Sequence, residues 1–294
     1  MTEKVCCAGY GNKKACDTGY PDRKDDNNPA ISIIMSVYNN SSTVGKSMDS
    51  IIAQTFTDWE MIVCDDGSID DSYIILNEYA KKDCRIKVIR NIKNRGLAYS
   101  LNHAISVSRS NILARQDADD YSAPNRLEVQ YRFVMENPIY AIVGTGWYNI
   151  ESTGMIKKAL AKEKPNARDL IPDGGFMHPT WMMRKDAVEK VGFYTVRKET
   201  MRSQDYHLML KLYGAGYISY NIQEPLYYYT ADSNTFKRSR NLKRVKGLMW
   251  IRWDGYRRNK FPFWAYGYVL KPLLVNLIPR SLMHKHYRRR YYGK

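Results

Sequence analysis

Acid is nearly absent from the last stretch of the chain. From Lys237 to Lys294 there are seventeen lysines and arginines and a single carboxylate, Asp254. The preceding 236 residues balance, so the formal charge of +16 sits almost wholly in one segment. A generally basic, nucleic-acid-like surface is thereby excluded for the body. A basic tail seeks phosphates, in nucleic acid or on an anionic membrane. Cysteine is also scarce, five in 294 residues, which excludes a disulfide scaffold. Cys6, Cys7 and Cys16 lie in a polar arm with no histidine or cysteine following at zinc-like spacing. No apolar run reaches the roughly 20 residues of a spanning helix. The best one, Phe261–Leu270, is broken by Lys271-Pro272 before Leu273–Pro279 resumes. The first 28 residues lack a stretch of signal-peptide length, and the expectation is a reducing, cytosolic setting. The common nucleotide motifs fail too. Gly45-Lys46-Ser47 ends a P-loop, but the required first glycine falls on Asn40. No G-x-G-x-x-G follows the first apolar run, and Asp65–Asp70 lacks the EF-hand ligand pattern.

What is present is a rhythm. Hydrophobic residues make up 44% and aromatic residues 13%, enough to bury a core. Ile31–Val37, Trp59–Cys64, Ile86–Ile89 and Asn111–Gln116 read as strands. Helical spacing follows each: through Val44, Met48 and Ile51, from Asp70 or Asp71, after Gly96, and from Pro124. Four such alternations predict an α/β fold, a mostly parallel sheet flanked by helices. Beyond Pro138 the pattern loosens. Tyr140–Val143 and Gly146–Ile150 read as short strands, as do Phe176–Met183 and Pro225–Thr230. Ser203–Tyr213 reads as a helix, and the basic tail as helical.

Three polar loops (Tyr38–Ser41, Asp65–Asp70, Asp117–Asp120) each follow the carboxyl end of a strand, the edge where open α/β sheets bind ligands. Asp117-x-Asp119-Asp120 is the strongest chemical signal. Close carboxylates repel, and several stay charged at neutral pH only in solvent or beside a cation. Oxygen ligands suit hard cations, Mg²⁺ or Mn²⁺, which hold diphosphates well. The bland reading is a solvated loop that caps the next helix.

These residues carry a resemblance. Ile31–Asn39, Gln54-Thr-Phe56, Asp65-Asp-Gly-Ser-x-Asp70, Asn94-x-Gly96, Asn102, Asp117-Ala-Asp-Asp120 and Pro124-x-Arg126 resemble, in order, the family-2 glycosyltransferases. The match covers about residues 31–135 and weakens through about 230, and the chain looks most like the bacterial exopolysaccharide- and capsule-assembly members. The resemblance implies a GT-A fold, a nucleotide-diphosphate sugar donor and a divalent metal, Mn²⁺ or Mg²⁺. It implies that Ser36 and Tyr38 line the nucleotide pocket, that Asp66 with Asp65 holds the base, and that Arg95 reaches the diphosphate. Asp117 and Asp119 form the D-x-D pair. Asp119 is the expected metal ligand beside Asp117, and Asp120 is the alternative, since three acids leave the register open. Asp205, in Ser203-Gln204-Asp205-Tyr206, is the implied general base of an inverting displacement. The plain alternative is a helix N-terminal acid favoured by the macrodipole. His178 of His178-Pro-Thr180 is the candidate beside the acceptor.

The expected organisation is a flexible arm over 1–29 and a GT-A domain over 30–236. Within that domain the nucleotide half covers about 30–137 and the acceptor half about 138–236. The remainder, 237–294, is a basic, aromatic, membrane-surface segment. Trp264, Tyr266 and Tyr268 sit at headgroup level in this reading, and Arg288–Arg290 on lipid phosphates. The acceptor is a glycan or lipid-linked glycan, and the setting is cytoplasmic, on the inner face of the plasma membrane. No nucleic acid partner is expected, because the acidic clusters repel phosphate unless metal is bound. The rivals are a metal-dependent nucleotidyltransferase or phosphohydrolase, a nucleic-acid-binding protein acting through the tail, and a degenerate sugar-binding homologue.

Overall fold

A computed structural model describes residues 28–150, 154, 156–172, 176–230 and 242–277. The arm up to residue 27, residues 231–241 and the triple arginine 288–290 lie outside the described residues.

The first half follows the sequence rhythm. In order it runs β1 (Ile31–Val37), α1 (Val44–Ile52), β2 (Trp59–Asp65), α2 (Ser72–Lys82), β3 (Ile86–Arg90), α3 (Leu97–Ser106) and β4 (Ile112–Arg115). β1, β2 and β4 are apolar on both sides because helices cover both faces of a parallel sheet. The alternation of side chains sorts them into two cores. Ile31, Ile33, Met35 and Val37 meet Met61, Val63, Met48 and Leu76 on one face. Ile34, Ile62 and Leu113 meet Leu101 and Ile105 on the other.

The second half is less regular. β5 (Tyr121–Ser122) leads to α4 (Arg126–Glu136), β6 (Tyr140–Ile150), β7 (Ile156–Ala159), β8 (Met182–Arg184) and α5 (Lys185–Lys190). Then come α6 (Gln204–Gly214), β9 (Ile218–Thr230), α7 (Leu242–Arg258) and α8 (Lys271–Leu277). The sheet order is β3-β2-β1-β4-β8-β6-β9-β5, with β7 on β6. β8 is antiparallel to both β4 and β6, and β9 is parallel to β6. Thus β5, β7 and β8 oppose six co-directional strands among the described residues. The mostly parallel α/β sheet flanked by helices is present.

Two local expectations differ. The two short strands at 140–150 are one strand, whose register against β9 shifts around Thr145 and Gly146. The Phe176–Met183 strand shrinks to β8, because Pro179, which lacks a donor N–H, lies in a 3-10 turn over His178–Thr180.

Residues 242–277 pack on this second half. Ile251 and Tyr256 are fully buried and belong to the core that holds Leu208, Leu210 and Trp181. Tyr256 Oη donates to Ile171 O at 2.5 Å, and Arg252 donates to Pro172 O at 2.7 Å. A Cβ on Gly247 would stand 2.3 Å from Glu199 O, and one on Gly255 would stand 2.5 Å from Leu210 Cδ1, so α7 lies tight on α6 and the turn before it. The boundary at 236–237 divides the chain by charge, while the packing crosses it.

Candidate active site

The loops after β1, β2, β3 and β4 open at one edge of the sheet, since these strands are parallel. Gly67 shapes the second of them. Its φ is +74°, and a Cβ there would lie 2.8 Å from the Lys93 carbonyl carbon. Only glycine lets this turn press against the loop after β3. Asp66, buried, then accepts from Arg95 N (2.8 Å), Gly96 N (2.8 Å) and Asn91 Nδ2 (2.8 Å). Asp65, also buried, pairs with Arg90 Nε at 3.0 Å. Arg95 stacks on Tyr99 with its guanidinium carbon 4.4 Å from the ring centroid. Ser36 is half-buried near the end of β1, and Tyr38 just beyond it is exposed.

β4 delivers the acids. Asp117, Asp119 and Asp120 each offer a carboxylate oxygen, all within 4.8 Å of one another. Ser47 Oγ donates to Asp117 O at 2.7 Å, and the Asp117 N–H donates to Tyr227 Oη at 3.1 Å. The loop is held from below by Arg126. Fully buried, that guanidinium donates to Gln116 Oε1, Ser122 Oγ, Arg115 O and Pro179 O at 2.7–3.2 Å. Burial brings its pKa down to about 10. Beyond the acids, Tyr121 stacks on Tyr228 at 4.6 Å, and Thr230 N donates to Asp120 Oδ1 at 2.8 Å.

The remaining Asp120 oxygen, Oδ2, is buried with no hydrogen-bond partner among the described residues, although the Tyr227 hydroxyl lies near enough to lower the carboxyl's pKa. Burial pushes this carboxyl well above its ordinary range, and the Asp117 and Asp119 charges add to the push. A buried carboxylate oxygen without a donor is costly unless something positive completes it. Three hard oxygen donors around that atom fit a divalent cation.

Arg115 bridges the acids and the His178 turn. It is 2% exposed; Nη2 pairs with Asp117 Oδ1, and Nη1 donates to His178 Nδ1 at 2.7 Å. With Nδ1 accepting, His178 Nε2 carries the proton and donates to Tyr194 Oη at 2.7 Å. Burial, and then the Arg115 charge, holds His178 well below the usual imidazole range, so it is neutral. Both of its nitrogens are thus engaged inside the protein. Asp205 is half-buried in the first turn of α6. Burial raises its carboxyl, while the Tyr206 N–H and the Arg115 guanidinium pull it back and Asp117 raises it further. Asp205 therefore shares an electrostatic field with the acids after β4, and the loop that carries the buried Asp66 lies at the same edge two strands away, about 10 Å at ordinary strand spacing.

Sequence reasoning missed Arg115 and Tyr227. The signal for the first was there, an arginine closing the apolar strand Ile112-Leu-Ala-Arg115 two residues before the acidic run Asp117–Asp120. Tyr227 carried none, because its place depends on β9 pairing with β5 across more than a hundred residues.

A family model described as Glycosyl transferase family 2 matches residues 32–192. EpsE of Bacillus subtilis (strain 168), named as a glycosyltransferase, is 35% identical over 89% of this chain and 94% of its own length. WfgD of Escherichia coli, named as a UDP-Glc:alpha-D-GlcNAc-diphosphoundecaprenol beta-1,3-glucosyltransferase, is 30% identical over 62% of this chain and 69% of its own. Among solved structures, the mannosyltransferase PcManGT from Pyrobaculum calidifontis, in complex with GDP-Man and Mn²⁺, aligns with a TM-score of 0.59. It is 15% identical and covers 90% of this chain and 81% of that one, a likeness of fold alone.

Proposed function

Because the chain belongs to glycosyl transferase family 2, we propose that this cleft moves a sugar from a nucleoside-diphosphate donor onto a glycan or lipid-linked glycan, with inversion at the anomeric carbon. The chain is a glycosyltransferase with a GT-A fold and relatives in bacterial polysaccharide synthesis. The observation that carries the finer reading is the convergence at one sheet edge of the Asp66 loop, the three acids after β4 and Asp205.

On the donor side, Ser36 and Tyr38 flank the nucleotide, Asp66 and Asp65 hold the base, and Arg95 reaches the diphosphate. Asp117, Asp119 and Asp120 would hold a divalent cation, Mn²⁺ or Mg²⁺. Bound there, it supplies positive charge against the departing nucleoside diphosphate. On the acceptor side, Asp205 takes the proton from the acceptor hydroxyl as it attacks. A carboxyl raised by burial is a better base at neutral pH than an ordinary one. His178 stands behind Arg115 on the acceptor side, orienting that guanidinium rather than titrating. WfgD's name supports a diphosphate-linked lipid acceptor, and that acceptor supports a peripheral place on the cytoplasmic membrane face. No helix among the described residues is long and apolar enough to cross a membrane.

A thermal-shift panel of nucleoside diphosphates, with and without Mn²⁺, tests the reading. Stabilisation by one nucleotide only when the metal is added is expected. Nucleotide hydrolysis that persists without Asp205 would instead favour a phosphohydrolase.

A further inference from the structure

Residues 263–274 form a surface that the catalytic reading leaves unused. They comprise a 3-10 helix, Phe263–Val269, then Leu270 and the first turn of α8. Ala265 and Val269 turn inward and are buried against the acceptor half. The opposite side is apolar and bare: Phe263 is 93% exposed, Trp264 60%, Leu270 51% and Leu274 59%, with Leu273 and Tyr268 beside them. A contiguous apolar patch of this kind on a folded body marks an interaction surface.

Its chemical setting selects the partner. Its charged residues in sequence are cations, Lys260 before it and Lys271 within it, the latter donating to Pro172 O at 3.0 Å. The single acid of the whole C-terminal stretch, Asp254, is taken up by the fold. It receives His207 Nε2 at 3.0 Å and Arg258 Nε at 2.6 Å. The sequence beyond, 278–294, adds six lysines and arginines and no acid. Aromatic and aliphatic side chains beside cations match the boundary of an anionic bilayer, where rings sit at headgroup level and cations meet lipid phosphates. A second copy of this chain would bring like charge against like.

We propose that the outward face of residues 263–274 inserts into the headgroup region of an anionic lipid bilayer, with Phe263 and Trp264 as the leading side chains. The inference rests on the peripheral location read above and adds the surface responsible for it. The ammonium and guanidinium groups draw the protein to the surface, and the apolar side chains hold it once charge is screened.

Flotation of the full-length protein with vesicles tests this. Wild type should bind phosphatidylglycerol/phosphatidylethanolamine vesicles about tenfold or more tightly than phosphatidylcholine vesicles, and should keep part of that binding in high salt. The double variant Phe263→Ser/Trp264→Ser should lose about tenfold in affinity and all salt-resistant binding, with its melting temperature unchanged. Binding by the variant equal to wild type would overturn insertion while leaving a purely electrostatic location standing. No binding by wild type would overturn both. A dimer in sedimentation velocity that the double variant dissolves would assign the face to a second copy and overturn the proposal. Metal-dependent nucleotide stabilisation, read on the same variant, should match wild type. Its loss in both proteins would sink the transferase reading and leave the vesicle result intact.

Discussion

The proposed nucleotide half and the proposed acceptor half share one sheet but are assembled in opposite ways. From β1 to β3 each strand lies beside the next in sequence, joined through one helix, and after α3 the chain crosses back so that β4 pairs with β1. Beyond β4 the neighbours are distant: β8 slots between β4 and β6, and β9 reaches from β6 to β5. The donor side is therefore a set of local units whose loops line up by topology. The acceptor side is a set of long-range insertions held in place by buried polar anchors such as Arg126, Arg252 and Tyr256. Local units are robust to change elsewhere, whereas inserted ones depend on their clamps.

That contrast can be broken most sharply at Asp205. Asp205→Asn should cut transfer by about 10²–10⁴ while nucleotide binding on the other half stays intact, read from kcat beside nucleotide affinity. Normal turnover would remove this residue from the role. At the seam, Arg115→Met should destabilise the metal-free protein by about 3–5 kcal/mol in denaturant unfolding, since it strands the Asp117 charge and the His178 acceptor. Ile251→Ala, inside α7, should cost about 2–5 kcal/mol. If 237–294 behaved as a separate appendage, that change would leave the melting of the body unaltered.

Acid should weaken the acceptor half through its histidines. Burial holds His178 and His207 below their ordinary pKa, so the unfolded chain binds protons that the native one refuses. Stability is full above about pH 6.5 and falls as pH drops below it, by up to about 1.4 kcal/mol per pH unit for each group. Melting temperatures between pH 7 and pH 5 check this, and His207→Gln should flatten the fall. The smallest effect belongs to an exposed pair on the donor half. Arg132→Ala removes a 3.4 Å contact with Glu128 and should change stability by less than about 0.5 kcal/mol.

The same contrast governed what could be read from sequence. Strand positions such as Ile33 and Val63 and the loop acids Asp66 and Asp117 were legible, because periodicity and turn chemistry act over a few residues. The β8 insertion, the fusion of two short runs into β6 and the Tyr227–Asp117 contact were not. Each depends on partners tens of residues away or more, and no local period encodes them. Arg115 and Arg126 fell between these cases. Both were visible as charges beside apolar runs, yet their complete burial follows only from how β4, α4 and the His178 turn close over them.

Gly247 and Gly255 set a mechanical relation between two distant edges of the molecule. With no methyl group at either point, α7 rests directly on Leu210 and Glu199, so the helix that leads into the Phe263–Leu274 surface is seated on α6 and the turn before it. An alanine at either position would act as a shim. It would shift the proposed bilayer-contacting surface relative to the proposed base Asp205, without altering any group assigned to the sugar.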